Sequence, residues 1–150
     1  MKQGYYQSPV GLVMVTSQNN KITNISFILA CPLFSSLSKE IKQCLQEIAE
    51  YFIKQRKAFS FDYMLNTTKF SQKVLEATKQ IPYGETRTYS DIAKMINHPL
   101  AVRAVGSALK RNPLAISIPC HRVINKNSKR INYLYGVEIK LALLAWEGVI

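Results

Sequence analysis

The 150-residue chain is short of cysteine, histidine and acid. Its three cysteines, Cys31, Cys44 and Cys120, form an odd and sparse set, which does not suggest a disulfide framework. A Cys31–Cys44 bridge stays open as the minor alternative. No C-x-x-C or H-x-x-x-H pair accompanies Cys120 and His121, so no structural zinc is expected there, because such sites need about four paired ligands. G-x-S-x-G, H-E-x-x-H and G-x-x-x-x-G-K-[ST] are all missing, which removes the common serine-nucleophile, zinc-protease and P-loop signatures. No apolar run is long enough to span a bilayer. The longest, around Phe27 to Phe34, is broken by Cys31-Pro32. The opening MKQGYYQSPV lacks the apolar core of a signal peptide. A soluble cytoplasmic protein with no membrane span is therefore expected. No internal repeat or low-complexity tract occurs.

Against 9 Asp+Glu stand 20 Lys+Arg, a net charge of +11. That balance favours a polyanionic partner or an anionic membrane surface. The charge is uneven. From Phe70 onward there are 12 Lys+Arg and 5 Asp+Glu, a net of +7; the first 69 residues carry 8 and 4, a net of +4. Apolar residues make up 47%, enough for a packed interior.

Two lobes are expected, residues 1–66 and 67–150. In the first, YYQSPVGLVMVTSQNNKITNISFIL alternates β-rich runs with turn residues and reads as strands. Leu37 to Lys54 carries apolar residues three or four apart and reads as a helix. AFSFDYML reads as extended. In the second lobe Ser71 to Lys79 reads as a helix stopped by Pro82 and Gly84. TYSDIAKMI and AVRAVGSALKR read as two short helices joined by a tight turn, a helix-turn-helix candidate. A last helix is expected over Val137 to Glu147.

Cys120 lies in ISIPCHRVIN. A buried, inert thiol is the usual fate of a lone cysteine. Against that, His121 and Arg122 are poor guests for a purely apolar pocket. A nucleophile needs thiolate character, which Arg122 would favour, and a base, which His121 can be. Glu147 or Glu138 in the closing helix can orient that base. The residues alone leave the inert and reactive readings open.

The company of Cys120 adds a resemblance. PCHRVI after NPLAISI, with RAVGSAL before it, LLAWEG behind it and IPYGETRTYSDIA upstream, closely resembles the O6-alkylguanine-DNA alkyltransferase family over residues 69–148. The first 68 residues match it only in size and in strand-then-helix character. The resemblance implies an α+β fold: a ribonuclease-H-like lobe of small sheet plus helix, then a winged-helix-like lobe bearing the helix-turn-helix. It implies DNA repair by direct, irreversible, stoichiometric transfer of the alkyl group from O6-alkylguanine, and O4-alkylthymine, to Cys120. His121 would be the base through a water, Glu147 its holder, and Asn112 the brace of the turn. Tyr89, Tyr133, Leu109, Val123 and Leu134 would line the substrate pocket. Arg103 would fill the gap left by the flipped nucleotide and Tyr89 would push the phosphate. Thr88, Ala104, Gly106, Ser107 and Arg122 would complete the contact with a DNA minor groove. The implied protein is a monomer on double-stranded DNA, with no cofactor and no metal, found in the cytoplasm with the nucleoid.

The chain departs from the family at NYLYG, residues 132–136, where a glycine-rich GYSGG-like stretch is usual. Leu134 removes a hydroxyl and Tyr135 replaces a glycine, so benzyl groups are expected to be accepted less well than methyl. The loop holding Lys126, Lys129 and Arg130 is basic and lacks the usual glycines. Two other classes remain: a non-catalytic lesion binder of the alkyltransferase-like kind, which lacks the cysteine, and a helix-turn-helix regulator with a structural cysteine.

Overall fold

A computed structural model describes residues 1–30, 34–126 and 132–150. Cys31 and the expected basic loop at Lys129 and Arg130 lie outside them. The described chain groups into two compact units: residues 1–66 with 113–117, and residues 67–112 with 118–150.

The first unit is an antiparallel meander, β1 (Lys2–Ser8), β2 (Gly11–Gln18) and β3 (Lys21–Ile28), with one helix, α1 (Lys39–Phe52). The β2–β3 turn is Asn19-Asn20, both at positive φ (52° and 64°). Asparagine tolerates that region, and a turn of two such residues matches the twist of the flanking strands. Val13 and Val15 alternate inward on β2, the register shift at Thr16/Ser17 lets Ile22 and Ile25 of β3 both be buried, and all four are fully buried, as are Ile41, Cys44, Ile48 and Tyr51 of α1. The stretch expected to be extended, AFSFDYML, makes a parallel bridge from Tyr63 to Ile22 rather than a full strand.

One segment falls outside the expected cut at 66/67. Residues 113–117 belong to the first unit because Ile25 N–H donates to Pro113 O (2.8 Å) and Ala115 N–H to Ile25 O (3.0 Å). Directly after these bonds Ile116 sits at φ 70° and is 1% exposed. A β-branched residue in the left-handed region is strained by about 1–3 kcal/mol, and tertiary contacts must hold it there.

The second unit holds α2 (Lys69–Lys79), α3 (Tyr89–Met95), α4 (Val102–Lys110) and α5 (Val137–Trp146). β4 (Arg87–Thr88) pairs in parallel with β5 (Val123–Ile124). Thr88 and Asp91 form a reciprocal capping box on α3, which helps a seven-residue helix to stand. The same helix ends on Asn97 at φ 62°, with Asn97 N–H on Lys94 O (3.0 Å) and His98 N–H on Ala93 O (2.9 Å). That pair of bonds is a Schellman motif, and it sets the tight turn into α4. Among the described residues, no helix is long and apolar enough to cross a membrane.

Candidate active site

α4 stops at Lys110, and Asn112, 2% exposed, follows it. Its Nδ2 donates to Ile118 O (2.9 Å) and to Cys120 Sγ (3.1 Å). The amide thus ties the end of α4 to the short 3₁₀ turn Cys120–Arg122. Cys120 is 7% exposed. Burial pushes its thiol up, while Asn112, Lys140 and Tyr133 pull it back toward the thiolate. At rest the sulfur keeps its proton, so the chemistry needs a base.

His121 is fully buried, and its Nε2 lies 2.7 Å from Glu147 Oε2. Burial holds the ring below the ordinary histidine range, against the pull of Glu147. The ring is therefore neutral near pH 7 and able to accept a proton. Nδ1 is buried and has no hydrogen-bond partner among the described residues.

Glu147 owes its place to local structure. It caps α5, and Gly148 at φ 81° closes a second Schellman motif through Gly148 N–H on Ala145 O and Val149 N–H on Leu144 O. The turn Pro82–Glu85, with Gly84 at φ 82°, points the Gly84 N–H at Glu147 Oε1 (3.4 Å).

Arg122 does not reach outward as expected of a DNA contact. It is 4% exposed and grips Glu147 through Nε (2.7 Å) and Nη2 (3.0 Å). Its charge is taken up by that carboxylate, so it is not the cation that favours a Cys120 thiolate. That cation is Lys140, 2% exposed, whose Nζ donates to Val123 O (2.6 Å) and Asn132 O (2.9 Å). Burial lowers Lys140 to about 8. Sequence reasoning missed it. The available signal was a lone cation inside the apolar run VEIKLALLAW, three and four residues before the buried Leu143 and Leu144.

Arg103, Ala104 and Ser107 are exposed on α4, and Gly106 is half-buried. A Cβ on Gly106 would lie 3.9 Å from the Tyr89 ring, an ordinary contact, so packing within the unit does not require glycine there. Tyr89, Arg103, Gly106, Ser107, Lys110, Asn125 and Asn132 line one cavity of about 350 Å³. Burial raises the Tyr89 hydroxyl and the nearby Cys120 raises it further. Thr88 is half-buried, and its hydroxyl oxygen accepts the Asp91 N–H (3.0 Å) as the cap of α3. Leu109 (5% exposed) and Val123 (0%) belong to the hydrophobic core, because α4 and β5 turn those positions inward, while Leu134 is 48% exposed. Tyr133 reaches Cys120 and meets Tyr135 edge-on, 5.7 Å between ring centres.

Fold and site together define a class, a two-lobe α+β protein with a helix-turn-helix and a buried cysteine ringed by polar groups. Family models narrow it. The 6-O-methylguanine DNA methyltransferase ribonuclease-like domain matches residues 1–63, and the DNA binding domain of the same name matches residues 69–149. The chain belongs to the 6-O-methylguanine DNA methyltransferase family. It is 37% identical over 154 residues to the methylated-DNA–protein-cysteine methyltransferase of Methanosarcina acetivorans, covering 99% of both chains. It is 48% identical over 110 residues to the constitutive methyltransferase of that name from Bacillus subtilis, covering 73% of this chain and 67% of that one. The crystal structure of Mycobacterium tuberculosis O6-methylguanine methyltransferase matches with a TM-score of 0.87 at 33% identity, over 97% of this chain and 92% of that one. The M. tuberculosis protein in complex with DNA gives 0.85 at 34% identity, over 95% and 90%. The first lobe is the ribonuclease-like domain and the second the DNA-binding, winged-helix-like domain.

Proposed function

We propose that the protein repairs DNA by moving the alkyl group of O6-alkylguanine, and of O4-alkylthymine, irreversibly onto Cys120, each molecule acting once. The observation that carries this is the polar ring around a buried sulfur: Asn112 on Cys120 Sγ, with His121 and Glu147 joined beside it. His121 Nδ1 takes the thiol proton through one water, and Glu147 holds the ring. The thiolate attacks the alkyl carbon, the carbon–oxygen bond breaks, and its electrons pass to O6. Guanine regains a proton, so the thiol's lost proton and gained alkyl group balance the base's change. A positioned base of this kind is worth about 10²–10⁴ in rate. The alkylated base is itself the donor, so the transfer needs no cofactor.

Reaching O6 requires the nucleotide to leave the stack. Arg103, exposed on α4, fills the gap, and Tyr89 meets the phosphate and borders the base pocket. Ala104, Gly106 and Ser107 keep the helix face thin enough for a minor groove, where sequence-independent binding suits a repair protein. Tyr135 narrows the pocket. Its hydroxyl is pushed up to about 12 by burial and then by Cys120, which supports a position close to the acceptor sulfur. The protein works as a monomer, with the second unit, residues 67–112 and 118–150, as the alkyl-acceptor domain. Titrating a duplex that carries O6-methylguanine with protein tests this. Methyl loss from DNA should stop at one per protein molecule, whereas continued turnover or no loss would sink it.

A further inference from the structure

The family motif supplies a base and its holder, and that holder is gripped by a third buried side chain, Arg122. Its Nε and Nη2 donate to the two oxygens of Glu147 (2.7 and 3.0 Å), and its Nη1 donates to Ile81 O (2.7 Å). Its guanidinium carbon lies 5.6 Å from the centre of the Tyr83 ring. The Glu147 Oε2 that accepts Nη2 also meets His121 Nε2 at 2.7 Å. We propose that Arg122 is a positioning residue for the alkyl transfer: by sharing Glu147 with His121 it keeps that ring neutral, with the proton on Nε2 and the lone pair on Nδ1. This rests on the alkyl-transfer reading.

The tautomer follows from donor and acceptor counting. A guanidinium keeps its charge at any working pH, and a carboxylate gripped by two of its N–H groups stays ionised. An ionised carboxylate only accepts, so the ring nitrogen facing it carries the proton. Nδ1 is left as the acceptor, buried and without a partner among the described residues.

Charge balance is the second part. An uncompensated buried carboxylate 2.7 Å from the ring would draw a second proton onto it, and an imidazolium cannot act as base. Arg122 cancels that charge. The groups facing His121 are Glu147 and Lys140 from α5, and Cys120 and Arg122 from its own turn; Tyr83 lies over Arg122. Burial, Arg122 and Lys140 hold the ring below the ordinary range, while Glu147 raises it. Removing Arg122 deletes one of the depressing groups, so the ring should protonate at higher pH.

The chain has two histidines, so a nitrogen-15 histidine spectrum contains two imidazoles, and His98 is the internal control. Ring titrations and single-turnover transfer rates are measured for wild type, Arg122→Lys and Arg122→Met. Wild-type His121 should be neutral with the proton on Nε2 at about pH 7. In Arg122→Met, transfer should fall about tenfold or more at about pH 6 and recover most of the loss by about pH 9, a limb moved by at least about one pH unit. Arg122→Lys, which keeps the charge but not the fork, should lie between. A protonated or Nδ1–H ring in the wild type overturns the proposal. So does a loss of rate that is equal at every pH with an unchanged ring titration. If Arg122→Met does not fold, the wild-type tautomer and the Arg122→Lys titration decide. No methyl on wild-type Cys120 breaks the alkyl-transfer reading instead, because the ring titration needs no substrate.

Discussion

Among the described residues, each lobe buries one cysteine and one glutamate, and the two pairs have different surroundings. In the first lobe Glu47 is 3% exposed and accepts Ser60 N–H (2.7 Å), Ser60 Oγ (3.0 Å) and Gln43 Nε2 (2.9 Å), with Arg56 at 3.5 Å. These donors pin the chain after α1 and lead to no reactive group. Cys44, fully buried nearby, has its thiol raised by burial and then by Glu47. In the second lobe Cys120 is also raised by burial, but an amide, a lysine and a tyrosine oppose it. Glu147 faces a histidine with one nitrogen to spare. Burial alone makes a thiol inert; donors and a cation around the sulfur make it usable.

The comparison breaks most sharply at the thiols. Cys120→Ser should abolish transfer, because a hydroxyl is a poor nucleophile for an alkyl carbon. Cys44→Ala should leave the transfer rate within about twofold and cost about 1–2 kcal/mol in urea unfolding, as a small buried truncation does. Equal effects of the two would erase the distinction.

The carboxylates come next. Glu147→Gln should slow single-turnover transfer by about 10²–10⁴, the worth of a positioned base. Glu47→Gln should leave the rate unchanged and act on stability alone. Burial raises the Glu47 carboxyl, but its hydrogen bonds and Arg56 outweigh this and hold it below its ordinary 4.5. A depressed carboxyl stabilises the fold above that value, and the contribution fades as pH falls from about 4.5 through the folded value. Melts between about pH 3 and 7 should therefore show a shallower acid limb in Glu47→Gln than in wild type.

Lys140 sharpens the contrast, since the first lobe has no buried lysine near Cys44 among the described residues. Lys140→Met removes the cation that favours the Cys120 thiolate and should slow transfer about tenfold at pH 7. Its folded value of about 8 lies below its ordinary 10.5. The unfolded chain binds more protons in that window, so stability should rise with pH from about 8 to 10.5. Lys140→Met should lose that rise, as read by denaturant unfolding across the window. The smallest effect is expected at Tyr135→Gly, which should raise benzyl transfer relative to methyl by several-fold. An unchanged ratio would remove Tyr135 as the narrowing residue.

Much of this was legible because it is local. The Asn19-Asn20 turn, the Thr88 cap, the helix-turn-helix spacing and the Glu147-Gly148 end are each written within a few residues. Arg122 was misread because its role depends on a carboxylate 25 residues away. A sequence shows that a cation is present, not that it points inward. The return of residues 113–117 to the first sheet was hidden for the same reason, since backbone hydrogen bonds to Ile25 carry no side-chain signature. Leu109 and Val123 were placed by motif position, whereas helix phase and strand pairing turned them to the core. Lys140 had a signal, a charge on an apolar helix face, which reads equally as a surface lysine until burial is known.

The most direct measurement is intact and peptide mass analysis after incubation with a duplex containing O6-methylguanine. The expected result is one added methyl, located on Cys120, with Cys44 unmodified and no gain in Cys120→Ser. An unmodified protein, or a methyl group found on Cys44, would contradict the assignment of Cys120 as the acceptor.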